Sequence, residues 1–365
     1  MKIIVTSDAH YGLKSKDFDR TQEIHEVITS IIDRCEEADV FVHCGDLGHI
    51  VNPHSKIHAL WVKLFEELRI HGVPSYFLLG NHDVSARDRN QYGSLAPLYE
   101  LELSKIEPIC EFSIRSVITG RNSMAFVFFP YGKLSPEDLE GYVDGLKEEI
   151  EILGVERLIV FTHLNVDGAE VSDDFILRPV RSTVPQSLFG IPEVKLVVSG
   201  HIHKHQVVRK EHPQHVIVGS PVHSNFGDLS EKVYLGINVE DDSITWKAIP
   251  TGAVKLIELD YDFTDCDIDL SFDTDSITDA GVKVNIRCRE DQVKELQLDS
   301  FKEDLEAFAQ FVRPITPTVV RLKDERKEVI NSDMSNGEVI NAFLDSRKPV
   351  NKKLILECAM EAMEG

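Results

Sequence analysis

The chain has 365 residues, 42% of them hydrophobic and 28% charged, which is long enough for two folded domains and an appendage. Its formal net charge of −23 repels nucleic acid, so overall charge cannot drive binding to it. Metal ions, a few basic side chains or a partner would have to hold a polyanionic substrate. Six cysteines without C-x-x-C spacing indicate reduced thiols. Since the sequence also shows no apolar run of membrane-spanning length and no signal-peptide pattern, we expect a cytoplasmic protein without membrane contact.

The first 250 residues alternate short apolar runs with amphipathic helical patterns. Apolar residues recur at helical spacing from Ile24 to Cys35 and again from Ile57 to Leu68. This alternation predicts an α/β fold in which helices cover a sheet. The runs that predict buried strands are Ile3–Val5, Val40–His43, Tyr76–Leu79, Ala125–Phe129, Leu158–Thr162 and Lys195–Ser199, followed by His215–Val218 and Val233–Val239.

The pattern changes after about residue 253. Strands are predicted at Leu256–Phe263, Gly281–Arg287 and Thr316–Leu322, and a capping box at Ser300 and Glu303 predicts a helix that runs to Val312. The tail carries two short amphipathic patterns that a proline separates. We therefore expect three parts: residues 1–253, a small α+β domain at 254–326, and a helical tail at 327–365.

Residues of the types that bind metals follow five of the predicted strands. In an open α/β sheet the crevice at the carboxyl ends of the strands is where ligands bind. Carboxylate, amide and imidazole donors without thiolate favour Mn²⁺, Fe²⁺ or Zn²⁺ over Ca²⁺. The competing interpretation is that these side chains only form turns or satisfy the core. The residues are Asp8, His10, Asp46, Asn81, His163, His201 and His203.

The order D-x-H, G-D, G-N-H-D, H and G-H-x-H over roughly residues 1–250 resembles the calcineurin-like metallophosphoesterases. That resemblance implies a layered sheet sandwich flanked by helices and two divalent metal ions, expected to be Mn²⁺, with Asp46 bridging them. It assigns Asp8, His10, Asp46 and His203 to one ion, and Asp46, Asn81, His163 and His201 to the other. A water between the ions would be the nucleophile, His82 would protonate or hydrogen-bond the phosphate, and Asp83 would fix the tautomer of His82.

A second resemblance is to nucleases of the SbcD type. The segment Gly45-Asp46-Leu47-Gly48-His49, with Pro53 and Ser55 after it, is similar to their G-D-L-F-H…P-S stretch, which makes His49 a further catalytic histidine. Gly219-Ser220-Pro221 with the later Phe226-Gly227 is similar to another of their motifs, and their DNA-capping domain occupies the position of residues 254–326. Gly48 departs from the aromatic residue usual there, which predicts that His49 lacks a packing anchor.

The resemblance implies a two-metal DNA exonuclease and endonuclease in an SbcCD-like complex for DNA repair and recombination. Its partners would be DNA and an SbcC-type coiled-coil ATPase that binds the tail, with a homodimer inside a heterotetramer. In length the chain is most similar to phage or bacterial members of this group. If it is viral, it would act in the host cytoplasm. The alternative is a metallophosphodiesterase or phosphatase acting on small phosphoesters.

Basic residues follow the first and third motifs. They are either phosphate contacts, which position a nucleic-acid backbone without reading its sequence, or solvated surface. These residues are Lys14, Lys16, Arg20, Arg87 and Arg89.

Overall fold

The structure, a computed structural model, describes residues 1–14, 19–84, 92–119, 122–132, 136–172, 175–178, 183–227 and 229–320. The predicted tail at 327–365 lies outside the described residues, as do Lys16, Arg87 and Arg89. Within those ranges, no helix has the length and apolar character needed to cross a membrane.

The described part of the chain contains strands that alternate with helices through its first 250 residues. The helices are α1 (Thr21–Asp33), α2 (Ser55–His71), α3 (Ala96–Glu100), α4 (Pro136–Leu153), α5 (Thr274–Ile277) and α6 (Leu298–Glu306). The strands are β1 (Lys2–Thr6), β2 (Val40–His43), β3 (Ser75–Leu78), β4 (Ile106–Ile109), β5 (Ser113–Thr119), β6 (Asn122–Phe129), β7 (Arg157–Thr162), β8 (Glu170–Ser172), β9 (Phe175–Ile176), β10 (Val194–Ser199), β11 (Gln206–Arg209), β12 (Gln214–Ile217), β13 (Val233–Val239), β14 (Ile244–Pro250), β15 (Leu256–Asp262), β16 (Gly281–Arg289), β17 (Phe311–Val312) and β18 (Thr318–Val320).

Two six-stranded sheets form the body of the fold. The first has the order β14-β13-β1-β2-β3-β4 and the second β11-β12-β10-β7-β6-β5. The strands β1, β2, β3 and β4 run parallel to one another, and so do β6, β7, β10 and β12, whereas β13, β5 and β11 pair with them in the antiparallel sense. Parallel strands end at the same edge of a sheet, so the loops after β1, β2 and β3 meet at one edge, and those after β7 and β10 at another.

Three apolar clusters make this body a layered sandwich. Val5 and Phe161 belong to a cluster formed by strand residues of both sheets. Ile4, next to Val5 in β1, faces the opposite way and joins Ile28 of α1 in a second cluster that also includes α2. Leu146 of α4 packs with the outer face of the second sheet in a third cluster. Strands buried on both faces explain the continuous apolar runs in the sequence, and the predicted α/β sandwich is confirmed.

The residues after 253 form a separate four-stranded sheet in the order β15-β16-β17, with β18 paired to β16. The helix predicted from Ser300 to Val312 is wrong at both ends, because α6 spans Leu298–Glu306 and Val312 lies in β17. The amide of Gln310 donates to the carbonyl of Ala280 at 2.9 Å, so pairing with β16 takes over the chain where the helix was expected to continue.

The chain separates into two compact units. Within the described residues, Met1–Asp260, Ser271–Val284 and Leu298–Ile315 form the first, and Tyr261–Leu270, Asn285–Gln297 and residues 316–320 form the second. In the second unit, side-chain hydrogen bonds join its segments: Arg289 donates to the Thr264 carbonyl at 2.9 Å, and Gln292 to that of Cys266 at 3.0 Å. The domain boundaries expected at 253 and 326 stay predictions.

Candidate metal centre

All seven predicted ligands lie in loops at the carboxyl ends of parallel strands. Asp8 and His10 follow β1, Asp46 follows β2 and Asn81 follows β3 in the first sheet. From the second sheet, His163 follows β7, and His201 with His203 follows β10. The carboxyl ends of the two sheets therefore supply one shared group of donors.

Four of these ligands occupy a backbone region that side chains rarely adopt. The φ angles are 52° at Asp8, 50° at His10, 55° at Asp46 and 78° at His201. Hydrogen bonds between loops hold them there: the Asp8 amide donates to the Gly45 carbonyl at 3.0 Å, and the His10 amide to the Asp46 carbonyl at 3.0 Å. Such backbone strain clusters at functional sites, where the surrounding structure enforces it.

The first donor group consists of Asp8, His10 and His203, whose ligand atoms lie within 4.8 Å of one another. The Nε2 atoms of His10 and His203 are 2.9 Å apart, and His10 Nε2 is 3.6 Å from Asp46 Oδ2. Two imidazole lone pairs and a carboxylate that face one gap suit a divalent cation.

The second donor group consists of Asp46, His163 and His201, also within 4.8 Å of one another. His163 Nε2 lies 3.4 Å from Asp46 Oδ2. Asn81 Oδ1 lies 2.7 Å from His201 Nδ1 and 3.1 Å from His163 Nε2, so the amide oxygen completes this group. Asp46 Oδ2 faces both groups, as a bridging carboxylate would.

The outward-facing nitrogens of three of these rings are held by other parts of the chain. His163 Nδ1 lies 2.6 Å from the Cys44 carbonyl, and His201 Nε2 lies 2.7 Å from Asn165 Oδ1. His203 Nδ1 lies 3.3 Å from Ser224 Oγ. With a proton on each outward nitrogen, the lone pair of the other nitrogen faces the donor group, which is the usual outer support of metal-binding histidines. The donor set therefore fits two divalent ions.

Asn165 and Ser224 contact the rings of predicted ligands, and the sequence analysis did not identify them. Asn165 stands two positions after His163, and Ser224 lies inside the stretch that begins at Gly219, so both are close in sequence to predicted motifs. The signal was weak because an outer partner needs only one suitable polar atom, and many residue types supply one.

Glycines let the ligands approach the backbone. A Cβ on Gly45 would overlap the His163 ring, and one on Gly80 would overlap the Asp46 carboxylate. A Cβ on Gly200 would overlap the Ser7 hydroxyl and the Cys44 carbonyl. The glycines of the three motifs are thus required for space.

Asp46 and His163 stabilise each other's charged forms, and their pKa values shift in opposite directions. Burial alone would raise the pKa of the Asp46 carboxyl, but His163 and His10 hold it well below its ordinary value. Burial would lower the pKa of His163, but the carboxylates of Asp46 and Asp8 raise it to about 9. A divalent ion between them would take the place of that proton, because metal ligands bind in their deprotonated forms.

The two predicted catalytic histidines lie beside the first donor group. The rings of His49 and His82 stack with centroids 5.2 Å apart, and the His82 ring is 4.7 Å from that of His10. His49 Nδ1 is 3.5 Å from His10 Nδ1. His82 Nδ1 lies 2.9 Å from the His49 carbonyl oxygen, to which it can only donate.

Asp83 does not orient His82 as the sequence suggested. The Asp83 carboxylate is buried and accepts from the Gly48 amide at 3.1 Å, the Gly80 amide at 2.9 Å and the Ser94 hydroxyl at 2.6 Å. The backbone carbonyl of His49 occupies the position expected for Asp83. Burial, with the nearby Asp46 charge, raises the pKa of Asp83 to about 6. The described contacts therefore give Asp83 a role in bracing the second and third motif loops.

Two basic residues that follow the first motif, Lys14 and Arg20, form ion pairs. Lys14 lies 3.0 Å from the Asp19 carboxylate. Arg20, predicted as a phosphate contact or as solvated surface, is instead 1% exposed, and its Nε donates to Glu23 at 2.7 Å. Arg20 is therefore not accessible to a phosphate, whereas the Lys14 side chain is 67% exposed and its surface ion pair leaves it accessible.

Comparison with known proteins places this site in context. The model of the family described as calcineurin-like phosphoesterase matches residues 1–205. A DNA double-strand break repair protein Mre11 of Sulfolobus acidocaldarius is 26% identical over 260 residues, which cover 67% of this chain and 65% of the relative. The protein of the same description from Saccharolobus solfataricus is 29% identical over 112 residues, 29% of this chain and 28% of the relative. The chain thus spans under two thirds of these relatives' length.

Two solved structures align with 69% of this chain. A dimetal phosphatase from Danio rerio aligns over 69% of this chain and 97% of its own, with 12% identity and a TM-score of 0.46. A purple acid phosphatase from yellow lupin seeds aligns over 69% of this chain and 51% of its own, with 16% identity and a TM-score of 0.45.

We expect Asp46→Ala to lose at least one of two bound ions and all hydrolytic activity, because Asp46 faces both donor groups. His203→Ala should lose one ion only, since it contacts the first group alone. Metal analysis after dialysis against Mn²⁺ measures both, with the exposed Glu36→Ala as the control that keeps two equivalents. Two full equivalents in the Asp46 variant would contradict the ligand assignment.

Asn165→Ala should weaken the binding of one ion by about 10- to 100-fold, the usual effect of removing an outer partner of a ligand histidine. The reason is that His201 loses the acceptor for its outward nitrogen. Calorimetric titration with Mn²⁺ measures the two affinities. Asn165→Asp, which keeps an acceptor, serves as the matched variant; an Asn165→Ala titration identical to that of the unmodified chain would show that this contact does not support the ligand.

Proposed function

We propose that this chain, which belongs to the calcineurin-like phosphoesterase family, is a DNA exonuclease and endonuclease that uses two divalent ions, Mn²⁺ foremost. The observation that carries the proposal is the stacked pair of His49 and His82 beside the His10 donor group, because these imidazoles are additional to the seven ligands. The curated relatives described as DNA double-strand break repair proteins support nucleic acid as the substrate. The alignments cover 65% and 28% of these relatives.

Asp46 and His82 would have different roles in phosphodiester hydrolysis. When bound, the two ions supply an acidified water and neutralise charge on the phosphate. Asp46 orients both ligand groups, and the amide of His82 donates to Asp46 Oδ1 at 2.7 Å, which ties the third motif to the bridge. Because His82 Nδ1 is held by the His49 carbonyl, its Nε2 is left to hold or move a proton at the phosphate or the leaving oxygen.

The negative net charge of the chain favours a partner that binds the DNA. The net charge of −23 opposes binding to a polyanion, and the cations of Lys14 and Arg20 are already paired. A DNA-bound ATPase of the SbcC coiled-coil type would bring the duplex to the metal centre. We propose that the tail at 327–365 binds this ATPase, in a heterotetramer built on a homodimer of this chain.

We expect His82→Ala and His49→Ala to keep both ions but to lose activity by about 100-fold or more, the typical contribution of an acid-base group. His82→Ala should slow the cleavage of linear DNA and of bis(4-nitrophenyl) phosphate alike, because its ring would act on the phosphate itself. His49→Ala should slow DNA cleavage more than hydrolysis of the small diester. Single-turnover rates at saturating Mn²⁺ on linear DNA, hairpin DNA and the diester measure this.

The control is His212→Ala, which removes an exposed histidine between β11 and β12 and should leave all three rates unchanged. Unreduced DNA cleavage in the His49 variant would remove His49 from the catalytic residues. Hydrolysis of the diester with no cleavage of either DNA would favour the small phosphoester alternative.

Deleting residues 332–365 should leave metal binding and diester hydrolysis intact and abolish association with the ATPase and ATP-stimulated DNA cleavage. The physical reason is that each amphipathic segment of the tail is shorter than the roughly 12–15 residues that a stable isolated helix needs, so it requires a partner surface. Co-purification measures the association. A truncated chain that still co-purifies with the ATPase would locate the binding surface elsewhere.

A further inference from the structure

Gly48 occupies a central position in the loop that follows the bridging ligand. Its amide donates to Asp83 Oδ1 at 3.1 Å, and its backbone pairs with that of Tyr11 in an isolated parallel bridge. The loop is therefore fixed on two sides by hydrogen bonds, from the third motif and from the first. Its third side has no side chain of its own, because residue 48 is glycine.

Trp61 of α2 fills that third side. A Cβ on Gly48 would lie 3.3 Å from Cη2 and from Cζ2 of the Trp61 indole, so the ring lies directly against the glycine backbone. Trp61 is 2% exposed. The ring of Tyr11 meets it edge-on, with centroids 6.4 Å apart. The sequence predicted that His49 lacks a packing anchor beside it, and the Trp61 indole, from a different element, fills the space next to the neighbouring Gly48.

His49 links this loop to both candidate catalytic rings, its own and that of His82. The His49 amide donates to the Tyr11 carbonyl at 3.0 Å. The His49 carbonyl accepts from His82 Nδ1 at 2.9 Å, and the two rings stack. A shift of the backbone at Gly48 would consequently move one ring directly and the other through its hydrogen bond.

We propose that Trp61 is a positioning residue that holds His49 and His82 against the metal centre by packing on Gly48. The inference rests on the proposed function, because it requires these histidines to act in hydrolysis. Trp61 itself contacts neither the donor groups nor the phosphate in this role. Its effect is on the rate of the chemical step, and the metal content stays unchanged.

Two measurements test the proposal on the full chain loaded with Mn²⁺. Trp61→Leu should speed hydrogen–deuterium exchange in the peptide that covers residues 47–50, because a loop no longer packed against the indole would more often open the hydrogen bonds of the Gly48 and His49 amides to Asp83 and Tyr11. It should also lower the single-turnover rate on linear DNA by about 10- to 100-fold, as expected for a small displacement of catalytic groups. Trp61→Phe, which keeps an aromatic ring, should recover part of both effects.

The matched control is Phe65→Leu, a buried residue of the same helix whose ring packs on Phe77. It should leave exchange at 47–50 and the rate unchanged. Adding Trp61→Leu to a variant that carries both His49→Ala and His82→Ala should lower the rate little further, because Trp61 acts through these two rings.

Three outcomes would overturn the proposal, and they are distinguishable from one another. Unchanged exchange at 47–50 in Trp61→Leu shows that the indole does not hold the loop. Faster exchange with losses that multiply when Trp61→Leu is added to the His49→Ala and His82→Ala changes shows that Trp61 acts on something other than these two rings. Faster exchange with a full rate in His49→Ala means that the catalytic role given to His49 under the proposed function has failed, and the positioning role fails with it.

Discussion

The Asp46 carboxylate meets imidazoles from the first sheet and from the second at the same time. Its Oδ2 lies 3.6 Å from His10 Nε2 and 3.4 Å from His163 Nε2, while its Oδ1 accepts from the His82 amide at 2.7 Å. One buried anion thus fixes the relative positions of three motif loops. Such a charge is stable in the interior only if it is paired, so the fold around it requires either protonated imidazoles or metal ions.

The body of the fold was predictable because its strands are buried on both faces. The expected strand at Val40–His43 and that at Val233–Val239 have the predicted bounds, and the other core strands differ by one to three residues at an end. The helix expected from Ile57 to Leu68 lies within α2, and the apolar spacing identified its buried face. The proximity of the predicted ligands followed from the same pattern, since the residues that end parallel strands gather at one edge.

Contacts between distant loops were less accessible to sequence reasoning. Asp83 was assigned to its neighbour His82, but its carboxylate accepts from Gly48, Gly80 and Ser94. Adjacent residues in a tight turn point in different directions, so sequence proximity does not predict a side-chain contact. The α6 helix ended before Val312 because strand pairing in β17 overrode the helical pattern there. Arg20 was expected at the surface, but it is buried and paired with the partly buried Glu23.

The left-handed backbone at four ligand positions links occupancy of the centre to the durability of the fold. Residues other than glycine in sparsely populated conformations cost on the order of 1–3 kcal/mol each. Substituting glycine at Asp8 or Asp46 would relieve that cost while removing a donor, so selection for a sturdier chain acts against selection for hydrolysis at the same positions. Ions that bind the folded state alone would offset the strain by mass action. Cells poor in the required metal would then hold a chain that is both inactive and more readily degraded.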